Sequence, residues 1–197
     1  MKSFIFTCIL IVISMGQVVN ATGSKEAPLT PDVREGLQSG RYTVLLRHAL
    51  APGTGDPDNF NVSDCGTQRN LSPQGRRQAQ LIGELLKNNG IEQAAVFSSQ
   101  WCRCLETGQL LDLGEVTELP MINSFFGNYE REPEQTLQVK EWLVNQRKDL
   151  PLPVILVTHQ VNITALTGIF PRSGGLVVID VNEDGNIAVV AQLETDD

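Results

Sequence analysis

Short apolar runs alternate with longer amphipathic segments along most of the chain. The apolar runs predict strands over residues 41–47, 94–97, 116–119, 154–157, 176–181 and 187–193. The amphipathic segments, with flanking Ser, Pro and Gly, predict helices over residues 31–40, 72–90, 100–112, 133–148 and 161–168. This alternation predicts an α/β fold, a three-layer sandwich with helices on both faces of a mostly parallel central sheet. The turn-forming residues 182–185 predict a terminal hairpin, which adds antiparallel pairing.

Basic side chains directly follow two of the apolar runs. Arg47 and His48 come after the first strand, and His159 comes after the run from Val154 to Thr158. In an open α/β sheet, ligands bind in the crevice at the carboxyl ends of the strands. The chain has only two histidines, so their shared setting predicts a functional site at this edge of the sheet.

The start of the 197-residue chain has the pattern of a secretory signal peptide. Lys2 precedes an apolar stretch over residues 4–15, and Val19-Asn20-Ala21 fits a small-residue cleavage site. The stretch is shorter than the ~20 residues of a comfortable bilayer span, although an uncleaved anchor is an alternative. We therefore expect a signal peptide over residues 1–21, no stable membrane insertion after its cleavage, and a periplasmic or secreted protein.

The charge of the chain argues against nucleic acid as a partner. The formal net charge is −8, and removing residues 1–21 takes away Lys2 and no acid, which gives −9. An acidic protein of this kind gains nothing from releasing the counterions of DNA or RNA.

Three cysteines follow the predicted signal peptide: Cys65, Cys102 and Cys104. Export favours a disulfide, and an odd number leaves one thiol free. On a helix, residues two apart point ~200° away from each other. We therefore expect a disulfide from Cys65 to either Cys102 or Cys104, and no bridge within that pair.

The predicted site has the chemistry of a phosphate-binding site. Arg47, His48, Arg103 and His159 form a poor metal site, because guanidinium groups repel cations and no carboxylate completes the set. The three cysteines also lack the CxxC spacing typical of zinc sites. Arginine suits bidentate phosphate binding, and a helix beginning near Arg103 adds amide donors. A neutral imidazole nitrogen can then attack phosphorus and form a phosphohistidine.

Four motifs of the chain resemble those of the histidine phosphatase superfamily, which includes phosphoglycerate mutases and many phosphomonoesterases. The order and spacing hold from about residue 41 to 168. The motifs are Arg47-His48-Ala49, where the family has Arg-His-Gly, the helix-opening segment from Arg69 to Ala79, the segment Ser98-Ser99 through Arg103 to Thr107, and Val157-Thr158-His159. The resemblance implies one phosphoglycerate mutase-like domain over residues 41–197, preceded by a linker and a short helix over residues 22–40.

The resemblance also implies a role for each basic residue. His48 would be the nucleophile, while Arg47, Arg103 and His159 would hold the phosphoryl oxygens and stabilise the transition state. Arg69 would reach the same pocket or the substrate. The implied mechanism needs no metal and no other cofactor.

The general acid of the family has no match in this chain. The mutase-like branch has a Glu where this chain has Asn123, and the acid-phosphatase branch has an Asp where this chain has Gln160. Amides do not donate the proton that a leaving oxygen needs. The acidic candidates nearby in the sequence are Asp56, Asp58 and Glu130.

The sequence thus predicts an exported, metal-independent phosphohydrolase that acts on a phosphorylated small molecule or an envelope component. The alternative is a binding protein that keeps the phosphate pocket without turnover, because the acid is missing. A mutase is the less favoured alternative, since exported space lacks the phosphoglycerate pool that it would serve. We interpret Trp101, Phe125 and Phe126 as packing residues of the core or a lid, although they could form a platform for substrate.

Overall fold

A computed structural model describes residues 29–145, 150 and 152–195 of the chain. The predicted signal peptide and most of the linker that follows it, up to residue 28, lie outside the described residues. The strands are β1 (Tyr42–Arg47), β2 (Ala95–Ser98), β3 (Val116–Glu118), β4 (Val154–Thr158), β5 (Leu176–Val181) and β6 (Ile187–Leu193). The α-helices are α1 (Pro31–Gln38), α2 (Pro73–Asn88), α3 (Cys102–Leu110), α4 (Glu132–Asn145) and α5 (Gln160–Thr167).

The six strands form one mixed sheet in the order β3-β2-β4-β1-β5-β6. Neighbouring strands from β3 to β1 are parallel, and β5 runs antiparallel to both β1 and β6. The predicted α/β architecture with its terminal antiparallel pair is therefore confirmed.

Helices cover both faces of the sheet. Alternate residues of each strand point to opposite faces, and apolar residues on both faces need to be buried. Val44 and Leu46 of β1 belong to one buried cluster, which also takes residues from α1, α2 and α3. Leu45, between them, belongs to a second cluster with residues of α4 and α5. This double cover explains why β1 and β4 read as continuous apolar runs in the sequence.

The start of α2 packs directly on the loop that follows β1. Ser72 caps the helix, its Oγ accepting a hydrogen bond from the backbone N–H of Gly75 at 3.0 Å. A Cβ at Gly75 would lie 2.0 Å from the carbonyl oxygen of Leu50. Glycine is therefore required at this position for the helix to approach the loop so closely.

The register of β1 and β4 places the two histidines side by side. Arg47 is paired with Thr158 in the parallel ladder, and the backbone N–H of His48 donates to the carbonyl oxygen of Thr158 at 2.9 Å. The next residues along the two strands are His48 and His159, at the carboxyl edge of the sheet.

Several elements are shorter than the sequence predicts. Helix α3 begins at Cys102, since Trp101 before it has extended backbone angles. Residues 120–132, which the sequence predicts as irregular, contain two short 3₁₀ turns, Pro120–Ile122 and Tyr129–Arg131.

Among the described residues, no helix combines the length and the apolar character that a membrane span needs.

Candidate active site

The imidazole of His48 is buried at the end of β1 and is held in one tautomer. Its Nδ1 lies 2.8 Å from the carbonyl oxygen of Ala49. A carbonyl can only accept, so Nδ1 carries the proton and Nε2 has a free lone pair. The Nε–H of Arg103 donates to that Nε2 at 3.3 Å. His48 therefore presents a neutral nitrogen beside a guanidinium group, which is the state that a nucleophile requires.

The guanidinium of Arg103 is buried and paired with a carboxylate. Its Nη1 and Nη2 donate to the two carboxylate oxygens of Asp56 at 2.6 and 3.1 Å, and Nη1 also donates to the carbonyl oxygen of Arg69 at 3.2 Å. The same carboxylate accepts from the Nε1–H of Trp101 at 2.9 Å. Asp56 thus fixes the plane of the Arg103 guanidinium next to His48.

The other two arginines are tied to carbonyl oxygens of neighbouring loops. Arg47 Nη1 donates to the carbonyl oxygen of Pro171 at 2.9 Å. Arg69 Nε donates to the carbonyl oxygen of Gly55 at 2.8 Å, and its Nη1 donates to that of Ala51. Burial and the positive charge of Arg103 lower the pKa of Arg69 to about 10. The three guanidinium groups concentrate positive charge at the histidines.

The imidazole of His159 is buried next to that of His48. Its ring centroid is 5.5 Å from that of His48, and its Nε2 lies 2.8 Å from Ser99 Oγ and 3.5 Å from Cys104 Sγ. Burial raises the pKa of the Cys104 thiol to about 12, so it stays protonated. Ser99 and Cys104 thus hold Nε2 of His159 in place.

Both histidines are held neutral by their surroundings. Burial lowers the pKa of His48 well below its ordinary value, and the charge of Arg103 lowers it further. Burial likewise lowers the pKa of His159, with His48 and Arg103 adding to the effect. Charging either ring next to three guanidinium groups is unfavourable, because like charges disfavour the protonated form.

A cavity of about 450 Å³ opens over these residues. The sequence-predicted residues Arg47, His48, Arg69, Arg103 and His159 all line it, so the structure brings this set together. The other lining residues are Gly53, Thr54, Gly55, Asp56, Phe60, Trp101, Ser124, Phe126, Gln160, Val161 and Phe170.

The three acidic candidates differ in position. Asp56 lines the cavity, whereas Asp58 and Glu130 are exposed and do not line it. Burial would raise the pKa of Asp56, but the hydrogen bonds from Arg103, the Arg69 backbone and Trp101 outweigh burial and lower it. Asp56 is therefore a carboxylate at neutral pH and holds no proton for a leaving group.

The side chain of Asn123 forms hydrogen bonds beside the site and does not line the cavity. Its Oδ1 accepts from Ser99 Oγ at 3.1 Å and from the backbone N–H of Gln100 at 2.8 Å. Its Nδ2 donates to Gln100 Oε1 at 2.9 Å. The amide of Asn123 thus holds Ser99, the hydrogen-bond partner of His159.

A disulfide joins Cys65 to Cys102, one of the two pairings that the sequence leaves open, and Cys104 is a buried free thiol. Cys102 is the first residue of α3, directly before Arg103. Its backbone N–H donates to Gln68 Oε1 at 2.9 Å. The bridge therefore fastens the loop after β1 to the helix that carries the central arginine.

Two side chains of the family-like motifs hold the loop after His48. Thr107 Oγ1 accepts from the backbone N–H of Ala49 at 3.0 Å. Gln78 Oε1 accepts from the backbone N–H of Leu50 at 2.9 Å. These bonds explain why the motifs carry Thr and Gln at positions remote from the predicted phosphate contacts. The methyl of Ala49, where the family has Gly, is fully buried and fits there.

Sequence reasoning missed several contacts of the site. Trp101 and Phe126, interpreted as packing residues of the core or a lid, line the cavity, and Trp101 also packs against a core cluster, while Phe125 is buried. Ser99 was visible within a motif but not as a partner of His159. Phe170 gave no local signal, because it reaches the cavity only through the path of the chain between α5 and β5.

The described residues contain no cluster of three or more His, Cys, Asp or Glu side chains that could hold a metal ion. The donor set itself agrees with this, since three guanidinium groups surround the histidines. The arrangement is suited to an oxyanion instead.

Comparison with known proteins agrees with the chemistry of the site. Residues 43–153, a little over half of the chain, match the model of the histidine phosphatase superfamily, branch 1. Comparison with curated proteins gives no match.

Several solved structures share the fold. The protein histidine phosphatase SixA complexed with tungstate has 18% identity and a TM-score of 0.55, covering 78% of this chain and 96% of its own. A mycobacterial glucosyl-3-phosphoglycerate phosphatase with VO3 has 15% identity and a TM-score of 0.55, covering 78% and 99%. A phosphoserine phosphatase from Entamoeba histolytica with 3-phosphoglyceric acid has 14% identity and a TM-score of 0.54, covering 78% and 97%.

Proposed function

Because the chain belongs to the histidine phosphatase superfamily, we propose that it is an exported, metal-independent phosphohydrolase that cleaves phosphomonoesters through a phosphohistidine at His48. That the chain is a phosphatase follows from the family. The covalent step, the substrate class and the export are the parts that we propose.

The observation that carries the covalent step is the environment of His48 Nε2. The Ala49 carbonyl oxygen fixes the proton on Nδ1, and burial with the neighbouring guanidinium groups lowers the pKa of the ring. The lone pair on Nε2 is thus available at neutral pH, and the nearest cation, Arg103, is 3.3 Å away. A phosphoryl group that approaches Arg103 is brought to the nucleophile by the same contact.

The proposed reaction has two steps. The Nε2 lone pair attacks phosphorus, and the bond from phosphorus to the leaving oxygen breaks. Water then cleaves the phosphorus–nitrogen bond, which releases phosphate and restores neutral His48. Arg47, Arg103 and His159 would stabilise the charge on the equatorial oxygens, and one preorganised donor of this kind is typically worth ~3 kcal/mol.

The leaving oxygen receives no proton from the position that the family uses. Asn123 is an amide bonded to Ser99 and Gln100, and Asp56 is ionised. Substrates whose leaving group is stable as an anion therefore fit this site best.

Two observations support oxyanion binding and export. Similar structures were solved with tungstate and with VO3, which are oxyanions like phosphate. The disulfide between Cys65 and Cys102 is typical of oxidising compartments and agrees with the signal-like pattern at residues 1–21. N-terminal sequencing of the protein from fractionated cells should give Thr22 as the first residue. An intact Met1 in the cytoplasmic fraction would overturn the export.

Turnover of acetyl phosphate, whose leaving acetate needs no proton, tests the proposed activity directly. The purified protein should hydrolyse it in the presence of EDTA, and vanadate should inhibit. The variant Arg103→Ala should lose a hundredfold or more in kcat, whereas Arg131→Ala, an exposed arginine outside the cavity, should not. Tight phosphate binding without any turnover would favour the non-catalytic binding protein instead.

A further inference from the structure

Charge in the cavity is confined to its inner end. Among the described lining residues, the charged side chains are Arg47, Asp56, Arg69 and Arg103. Arg103 contacts His48, Asp56 and the Arg69 backbone, and Arg47 directly precedes His48 in the chain. All of this charge therefore lies where a single phosphoryl group would sit.

The outer lining is neutral and rich in aromatic rings. It consists of Gly53, Thr54, Gly55, Phe60, Trp101, Ser124, Phe126, Gln160, Val161 and Phe170. No lysine or arginine stands among these residues to meet a second phosphate or a carboxylate. A doubly anionic substrate would leave its second charge without a partner, which is unfavourable in a partly desolvated cavity.

Two of these rings are far more exposed than large apolar side chains usually are. Phe170 is 70% exposed and Phe126 is 52% exposed. Exposed apolar groups that cluster at the mouth of a cavity mark a binding surface. Neither ring contributes to the buried core clusters, so their position is not explained by folding.

The rings are tied to the phosphate site by contacts of their own segments. Arg47 Nη1 donates to the carbonyl oxygen of Pro171, which fixes the residue next to Phe170. A Cβ at Gly55, the neighbour of Asp56, would lie 3.9 Å from Cε1 of Phe126, so the ring is close to this loop. Phe60 stacks on Trp101 at a centroid distance of 4.9 Å, and the Trp101 indole donates to Asp56. A group bonded to the phosphate would therefore emerge among these rings.

We propose that Phe126, Phe170 and the stacked Phe60–Trp101 pair bind an apolar leaving group, so that the substrate class is monophosphates of uncharged aryl groups. Sugar phosphates with a second anionic group and bisphosphates are excluded from it. The proposal rests on the proposed phosphatase function and adds the nature of the group that leaves.

A series of para-alkylphenyl phosphates tests the proposal. The methyl, ethyl, propyl and butyl compounds have almost the same phenol acidity, so leaving-group stability is constant and only apolar contact changes. Each methylene that becomes buried should raise kcat/KM by about fourfold. The 4-(carboxymethyl)phenyl ester, which carries a second anion, should be a poorer substrate than the ethyl ester.

Variants test whether the rings of Phe126 and Phe170 cause the dependence on alkyl length. Phe170→Ser and Phe126→Ser should flatten the dependence of kcat/KM on chain length. Leu137→Ser removes an equally exposed apolar side chain that does not line the cavity, and it should retain the full dependence.

The outcomes separate the two proposals. No turnover of acetyl phosphate would overturn the phosphatase function itself. Turnover of acetyl phosphate with no dependence on alkyl length, or with preference for the carboxymethyl ester, would overturn the apolar substrate class alone. A length dependence that survives Phe170→Ser and Phe126→Ser together would overturn the assignment to these rings.

Discussion

The rings of His48 and His159 lie 5.5 Å apart at 68° to each other, although the two residues are 111 positions apart in the chain. The cause is the parallel pairing of β1 with β4, in which Arg47 is level with Thr158. Each strand then delivers its next residue to the same edge of the sheet. The juxtaposition of the two histidines is thus a direct result of strand register.

The two buried histidines should make stability depend on pH. Their pKa values lie below the unfolded value of about 6.5, so the unfolded state binds more protons as pH falls. The free energy of unfolding should therefore decrease from about pH 6.5 downward, until the folded pKa values are reached. The slope should approach about 1.4 kcal/mol per pH unit for each histidine.

Urea unfolding at several pH values between 8 and 5 measures this dependence. The variant His48→Gln should show about half the slope. NMR of the imidazoles gives only two sets of signals, because the chain has two histidines, and neither should titrate near pH 6.5. A stability that stays constant over this range would contradict the neutral, buried state of both rings.

We expect Asp56 to position Arg103 and not to donate a proton. The variant Asp56→Asn should lower kcat by the same factor for acetyl phosphate and for phenyl phosphate. It should also destabilise the fold by about 3 kcal/mol or more, since it leaves a buried guanidinium without its carboxylate. Asp58→Asn, at an exposed position outside the cavity, is the matched control.

The informative quantity is the ratio of kcat for acetyl phosphate to kcat for phenyl phosphate in the variant Asp56→Asn. A loss confined to phenyl phosphate would identify Asp56 as the missing acid, because acetate leaves without a proton and phenolate benefits from one. A loss of this kind would contradict the expectation that Asp56 only positions Arg103.

Leaving-group acidity should control turnover of the unmodified protein. Because Asn123 lies where the family has its acid, kcat should fall steeply from acetyl phosphate through aryl phosphates to alkyl phosphates of similar size. Equal kcat values for aryl and alkyl phosphates would show that another group of the protein donates the proton.

The disulfide should support both stability and activity. It closes a loop across a sequence separation of 37 residues, which in the chain-entropy model is worth about 4 kcal/mol. Cys65→Ser should lower the free energy of unfolding and the activity together, since the loop carries Asp56 and the helix carries Arg103. Alkylation of the denatured protein should find one free thiol among Cys65, Cys102 and Cys104; finding all three free would contradict the bridge.

The sequence predicts the sheet, the strand ends and the five basic residues, because each depends on local apolar patterning and on motif spacing. The hydrogen-bond partners of those residues are not predicted by the sequence. Asp56 meets Arg103 through the path of a long loop, and Ser99 meets His159 because β2 and β4 are neighbours. Such contacts depend on tertiary register and loop geometry, which leave no periodic trace in the sequence.

The aromatic residues that line the cavity were also not predictable as such from the sequence. Phe126 and Phe170 lie in two loops separated by α4, β4 and α5, and only the folded chain brings both to one cavity. Trp101 likewise has no pattern that separates a core residue from a lining residue. Exposure of an apolar side chain is a property of the fold and not of the residue type.

Trapping the phosphorylated intermediate tests the central claim most directly. The protein is mixed with acetyl phosphate, quenched in base to preserve phosphoramidate, digested and analysed by mass spectrometry. We predict one phosphoryl group on the peptide that contains His48 and none on the peptide that contains His159. His48→Ala should abolish both the label and turnover, with the fold retained. A phosphoryl group on His159, or undiminished turnover by His48→Ala, would contradict the account.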